Sequence, residues 1–192
     1  MTTLYTGLDP SRYPEQVLHC PLIEIIPLFP KLDDLSVFTH FVVTSKSAAK
    51  LIQIPSSAFI IAVGRATADA VGRADLVAED ERQEGIIAIL ESMDLTGANI
   101  CLPRSKKARR LMDQYLLERG VSYQVIDLYD VQTKVHKKYP DLSTIKKVVF
   151  TSPSTVRAFI EIYGALPEDK ELIAIGPVTR KAIEGECYEP EF

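Results

Sequence analysis

Two stretches place hydroxyl groups where an apolar run gives way to an amphipathic one. Thr44-Ser45-Lys46 follows Phe41-Val42-Val43, and Thr151-Ser152-Pro153-Ser154 follows Val148-Val149-Phe150. Where the carboxyl end of a strand meets a helix start, side-chain hydroxyls and unsatisfied backbone N–H groups point the same way, which suits a carboxylate or a phosphate. Helix capping by Ser45 or Ser152 explains each stretch taken alone, and Pro153 at a first helical position agrees with capping. Two copies shift the weighing, because facing helix starts make an anion clamp with two ends. Gly64 and Gly176, each three residues before a threonine (Thr67, Thr179), read in two ways as well. They let a ligand approach the backbone, or they only permit a tight strand-to-helix turn.

The densest charge cluster is Arg104, Lys106, Lys107, Arg109 and Arg110, after the apolar run Ala98 to Leu102. On a helix starting near Ser105, residues 106 and 110 share a face. Two or three of these cations are expected to be a solvated surface, while Arg104, at a strand end, is the first choice for holding an anionic substrate. Tyr129 closes another apolar run, Val125-Ile126-Leu128. By pattern alone it is a core-edge tyrosine with a hydrogen-bonded hydroxyl.

These residues fall within an internal repeat. Phe41 to Ala49 returns as Val148 to Val156, and Ile60 to Thr67 returns as Leu172 to Thr179, in the same order and at nearly the same separation. An ancient duplication is the reading. Strands are expected at residues 2 to 6, 22 to 26, 40 to 44, 59 to 63, 75 to 78, 97 to 102, 122 to 128, 147 to 151 and 171 to 175. Helices are expected at 46 to 53, 66 to 73, 83 to 92, 106 to 119, 153 to 163 and 177 to 184, with Gly72, Gly120 and Gly164 as stops. Near-continuously apolar strands alternating with helices imply an α/β fold of two similar, doubly wound parallel-sheet half-domains.

The second copy, from Val148 onward, is too short to hold a core alone. The strands around Leu4 and Ile25 are its expected complement. The expected layout is therefore a discontinuous α/β domain of residues 1–27 and 139–192 with an inserted α/β domain of 28–138. Crossings near Pro27 to Pro30 and Val131 to Tyr139 join the two, with a ligand cleft between the lobes.

The 192 residues are 46% hydrophobic and 25% charged, and the net charge of −4 lacks the basic field that nucleic-acid and anionic-membrane partners select. Cys20, Cys101 and Cys187 show no C-x-x-C pair and suit reduced thiols, Cys101 as a small core hydrophobe. No stretch reads as a leader or a membrane span, so a cytoplasmic protein is expected. His19, His40 and His136 lack metal-type spacing, and neither G-x-G-x-x-G, a P-loop nor G-x-S-x-G occurs. No cofactor or metal is expected.

The order Pro21-Leu22-Ile23-Glu24-Ile25, Val43-Thr44-Ser45, Val63-Gly64-Arg65-Ala66-Thr67-Ala68, Glu84-Gly85 and Pro103-Arg104 resembles uroporphyrinogen-III synthase. It continues through Ala108-Arg109, Leu128-Tyr129, Phe150-Thr151-Ser152-Pro153-Ser154 and Ile175-Gly176-Pro177-Val178-Thr179, across nearly the whole chain. The resemblance implies dehydrative cyclisation of hydroxymethylbilane, with inversion of the last pyrrole ring, by an enzyme of tetrapyrrole (heme) biosynthesis that needs no cofactor. The implied partner is a linear tetrapyrrole polycarboxylate, and the protein is expected to be a monomer. It also implies a catalytic Tyr129 and roles for Thr67 and Thr179, while Thr44, Ser45, Gly64, Arg104, Ser152, Ser154 and Gly176 are expected substrate contacts from their places at strand ends and helix starts. Many members carry Pro-Arg after the first Thr-Ser; this chain has Lys46-Ser47, so the arginine's contact is either missing or supplied by Lys46. A non-catalytic two-lobed module closing on an anionic small molecule is the alternative. A nucleotide-dependent transferase ranks below both for want of phosphate motifs.

Overall fold

A computed structural model describes residues 2–185, so Cys187 and the end of the expected discontinuous domain lie outside the described residues. The chain divides into two units, one of residues Ile26–Asp130 and the other of the described residues up to Ile25 and from Val131 onward. It passes between them inside strand β3 (Ile23–Pro27) and inside strand β8 (Ser122–Thr133).

The unit of residues 26–130 is built on strands β4 (His40–Val43), β5 (Phe59–Ala62), β6 (Leu76–Val77), β7 (Asn99–Ser105) and β8. They pair in parallel in the order β8-β7-β4-β5-β6, and β3 is added beyond β8. The bonds from Lys134 N to Leu22 O and from Leu28 N to Leu128 O run β3 antiparallel to β8. Connections step one way from β4 to β5 to β6 and the other way from β7 to β8. The strand order therefore reverses between β4 and β7, where the carboxyl edge of such a sheet opens a crevice. Right-handed crossovers stepping in opposite directions put their helices on opposite faces. Accordingly α1 (Lys46–Leu51) packs with α2 (Arg65–Val71), and α3 (Gln83–Glu91) packs with α4 (Leu111–Glu118). The β-branched and leucine-rich runs supply a core that includes Val42, Ile61, Ile86, Leu90, Ile100 and Leu116. Full burial of each such side chain is worth about 1.5 to 3 kcal/mol.

The other unit pairs β1 (Thr2–Tyr5), β2 (Leu18–His19), β9 (Ile145–Phe150) and β10 (Glu171–Ala174) in the order β10-β9-β1-β2, all parallel. Its helices are α5 (Pro153–Tyr163) and α6 (Pro177–Ile183). Leu4, Leu22, Val148, Phe150, Val156 and Phe159 form the core, where the Phe150 and Phe159 rings meet edge to face 5.4 Å apart. Here too the order reverses between the first strand of the repeat, β9, and a strand from elsewhere, β1.

Two expectations are corrected. The strand near Ile25 pairs with β8, and the sheet of the discontinuous unit takes the two-residue β2 instead. The helix expected from 106 to 119 begins only at Leu111, and residues 106–110 form a turn, so 106 and 110 do not share a helix face. The reason is tertiary. β7 runs on to Ser105, Lys106 N donates to Tyr129 O at 2.9 Å, and the cations that follow are drawn to different acids.

Candidate functional site

The carboxyl edge of the 26–130 unit gathers several of the expected residues at the reversal between β4 and β7. Ser45, in extended conformation, caps α1, and its Oγ accepts the Ala48 N–H at 3.0 Å. The same Oγ lies 2.9 Å from the hydroxyl of Tyr129, which reaches it from β8, across β7. Tyr129 is only 6% exposed. Burial pushes its phenol above the ordinary value near 10, and the hydroxyls of Ser45 and Ser47 pull it back down. Thr44 is half-buried and Lys46 exposed beside this pair.

Of the five cations, Lys106, Lys107 and Arg110 are exposed, Arg109 is half-buried and Arg104 is buried. Arg104 is buried at 9% exposure, and its Nη1 donates to Asp113 Oδ1 at 2.6 Å. Its Nε lies 3.6 Å from Asp127 Oδ1, on the neighbouring strand at the paired position, and neither of these two buried atoms has a hydrogen bond. Lys107 pairs with Asp130 at 3.4 Å. Arg109 grips Glu84 with two bonds of 2.7 and 2.9 Å, holding that carboxyl down at about 2. Gln83 Nε2 adds a bond to Arg109 O. The basic turn is thus tied to acids on α3, α4 and β8, while Lys106 and Arg110 remain exposed.

Farther along the same edge, Gly64 begins α2 with an extended backbone. A Cβ there would lie 2.5 Å from Glu81 Oε1, so the glycine makes room for the Glu81 side chain. Thr67 is buried at 4%. In the other unit, Gly176 begins α6 with nothing within 4 Å of the Cβ position, and Thr179 is buried at 3%. Ser152 and Thr155 form a reciprocal capping box on α5. Ser152 Oγ accepts Thr155 N–H at 3.3 Å, and Thr155 Oγ1 accepts Ser152 N–H at 3.2 Å. Thr151 packs against Gly7, where a Cβ would lie 2.5 Å from its Cγ2, and Ser154 Oγ accepts a long bond from Arg157. Sequence reasoning missed Asp113, Asp127 and Glu81, whose roles appear only through strand register and loop packing. It missed the Ser45–Tyr129 bond too, which spans 84 residues of sequence. Among the described residues no His, Cys, Asp or Glu cluster is placed to hold a metal ion, and no helix is long and apolar enough to cross a membrane.

Parallel sheets with order reversals, each carrying a Thr-Ser helix start at its carboxyl edge, define an α/β protein of two units with hydroxyl-lined edges. More particularly, the uroporphyrinogen-III synthase HemD family matches residues 11–189, and the chain belongs to it. It is 29% identical over 152 residues to a protein of Methanothermobacter thermautotrophicus called a putative uroporphyrinogen-III synthase, covering 69% of this chain. The match spans 59% of that relative's length. The fold is also that of uroporphyrinogen-III synthetase from Helicobacter pylori, with a TM-score of 0.67 at 20% identity over 96% of this chain and 88% of the other. A mutant uroporphyrinogen III synthase from Thermus thermophilus gives 0.63 at 15% identity over the same shares.

Proposed function

We propose that the chain is a uroporphyrinogen-III synthase, a lyase that closes hydroxymethylbilane to uroporphyrinogen III with loss of water and inversion of the last pyrrole ring. The observation that carries the reading beyond family membership is the Tyr129 hydroxyl, held at 2.9 Å from Ser45 where the strand order reverses. A phenol with its proton in place at neutral pH donates to the substrate's departing hydroxyl while the pyrrole nitrogen pushes electrons from the other side. Help of this kind contributes about 10² to 10⁴ in rate.

The substrate is a polycarboxylate, and Thr44, Lys46, Ser152, Ser154 and the helix starts at Gly64 and Gly176 are the groups proposed to hold it. The role expected of Arg104 passes to Lys106, which is exposed and hydrogen-bonded through its backbone to Tyr129. Arg104, engaged by Asp113, supports the strand end instead. Thr67 and Thr179 are proposed to shape the backbone at those helix starts. The reading includes a gene duplication behind the two units, a cytoplasmic monomer without nucleic-acid partner, and catalysis without cofactor. Incubation with freshly made hydroxymethylbilane tests it. The type III isomer should form above the spontaneous type I background; ligand binding with an unchanged isomer ratio would show a binding module in its place.

A further inference from the structure

We propose that Ser45 is a positioning residue for Tyr129: its hydroxyl donates to the phenol oxygen, turns the phenol's own proton outward, and holds the charge left on that oxygen once the proton has gone. This rests on the reaction proposed above. The geometry restricts what the two hydroxyls can do. A serine hydroxyl has one proton to donate and two lone pairs. One lone pair of Ser45 is filled by the Ala48 N–H at 3.0 Å, which also fixes Oγ on the α1 backbone. Two arrangements of the 2.9 Å bond to Tyr129 remain. In one, the phenol donates to Ser45 and is spent. In the other, Ser45 donates to the phenol, whose own proton is turned away from Ser45, with the Ser47 hydroxyl beside the same oxygen.

Only the second arrangement lets the phenol itself donate to the substrate, and the burial of Tyr129 favours it. With 6% exposure, a phenolate there has little water to solvate it, so a neighbouring O–H must take that place. Ser45 pulls the phenol's acidity in the required direction. The protons balance. Tyr129 O–H protonates the substrate hydroxyl oxygen, the C–O bond breaks with both electrons going to oxygen, and water leaves an azafulvenium cation. For the inverted product the last pyrrole attacks the cation through its already substituted α-carbon, and the bond from that carbon to the neighbouring methylene breaks to give a second azafulvenium. The ring's free α-carbon closes on that methylene, and the proton this carbon releases returns to the phenolate.

The test compares Ser45→Ala, Ser45→Thr and Ser45→Asp in steady-state formation of the type III isomer. It is paired with the ¹³Cζ resonance of Tyr129, assigned by its loss in Tyr129→Phe. For Ser45→Ala, kcat should fall about 10- to 100-fold, the loss of one hydrogen bond to a charged oxygen, with KM within about twofold. Ser45→Thr should restore most of the turnover. Ser45→Asp, a good helix cap with no proton to donate, should keep the thermal stability and lose kcat. A raised KM with intact kcat would make Ser45 a carboxylate contact, and normal turnover by Ser45→Asp would leave it a cap; either overturns the proposal. Should the wild-type chain form no type III isomer, the reaction fails, but the resonance still decides the pairing. It must move in Ser45→Ala and return in Ser45→Thr, and an unmoved resonance would overturn the inference.

Discussion

Arg104→Gln separates a supporting arginine from a substrate-binding one. The guanidinium is held by Asp113 at 2.6 Å, with the two side chains only 10% and 17% exposed. The second acid, Asp127, is 42% exposed and lies at 3.6 Å. Removing one partner of a buried pair costs about 3 to 5 kcal/mol, because the other charge is left without compensation. The contact with the more open Asp127 adds at most about 1 kcal/mol. Asp113 keeps some access to water, so the lower end applies, and about 3 kcal/mol is expected. Against a typical stability of about 5 to 15 kcal/mol that is a large fraction. With a urea slope of about 1 to 3 kcal/mol per molar, the unfolding midpoint should fall by roughly 1 to 3 M. Arg110→Gln, at an exposed position, should move stability by no more than about 0.5 kcal/mol. Because the Arg104 pair is buried, added salt should change the loss little. A midpoint shifted by less than about 0.5 M, with a KM that rises strongly and depends on salt, would refute the supporting role.

Tyr129→Phe should keep the fold, leave KM near wild type and lower kcat by about 10² to 10⁴, read as type III isomer formed; near-normal turnover would leave positioning as the source of catalysis. Ser152→Ala opens the α5 capping box and should cost about 1 kcal/mol in urea unfolding, while a further loss of substrate binding, by about 1 to 3 kcal/mol, would mark a carboxylate contact. Lys106→Gln should raise KM at low salt and do so less at high salt; a salt-independent KM equal to wild type would return it to the solvated surface. Glu84 titrates at about 2 in the folded chain, below its ordinary value of 4.5, chiefly through its bonds to Arg109. Its contribution to stability is therefore present above pH 4.5 and lost as the pH falls toward 2. The stability gap between wild type and Glu84→Gln should narrow over that window, and a gap constant with pH would rule the pairing out.

Helix α5 shows how much is legible from local signals. It runs from Pro153 to Tyr163 as expected, because Ser152 caps it, Pro153 suits its first position, and Gly164 ends it at a φ of 88°. The apolar runs that became β4, β5, β9 and β10 were equally plain. The basic segment after Arg104 departs from the expected helix because helix propensity is a weak prior and its competitor is distant in sequence. Register between β7 and β8 puts Asp127 beside Arg104 and Tyr129 beside Ser105.

By itself, then, the sequence determined the alternation of strands and helices, the repeated Thr-Ser helix starts and the family, since each is written in residues a few positions apart. The tertiary structure alone decided that Arg104 pairs with Asp113, that Glu81 fills the space over Gly64, that the strand at Ile23–Pro27 joins β8, and that Ser45 meets Tyr129. Those contacts depend on which strands become neighbours and in what register. That choice is set by burying the apolar faces of the whole sheet together, and no local window of residues contains it.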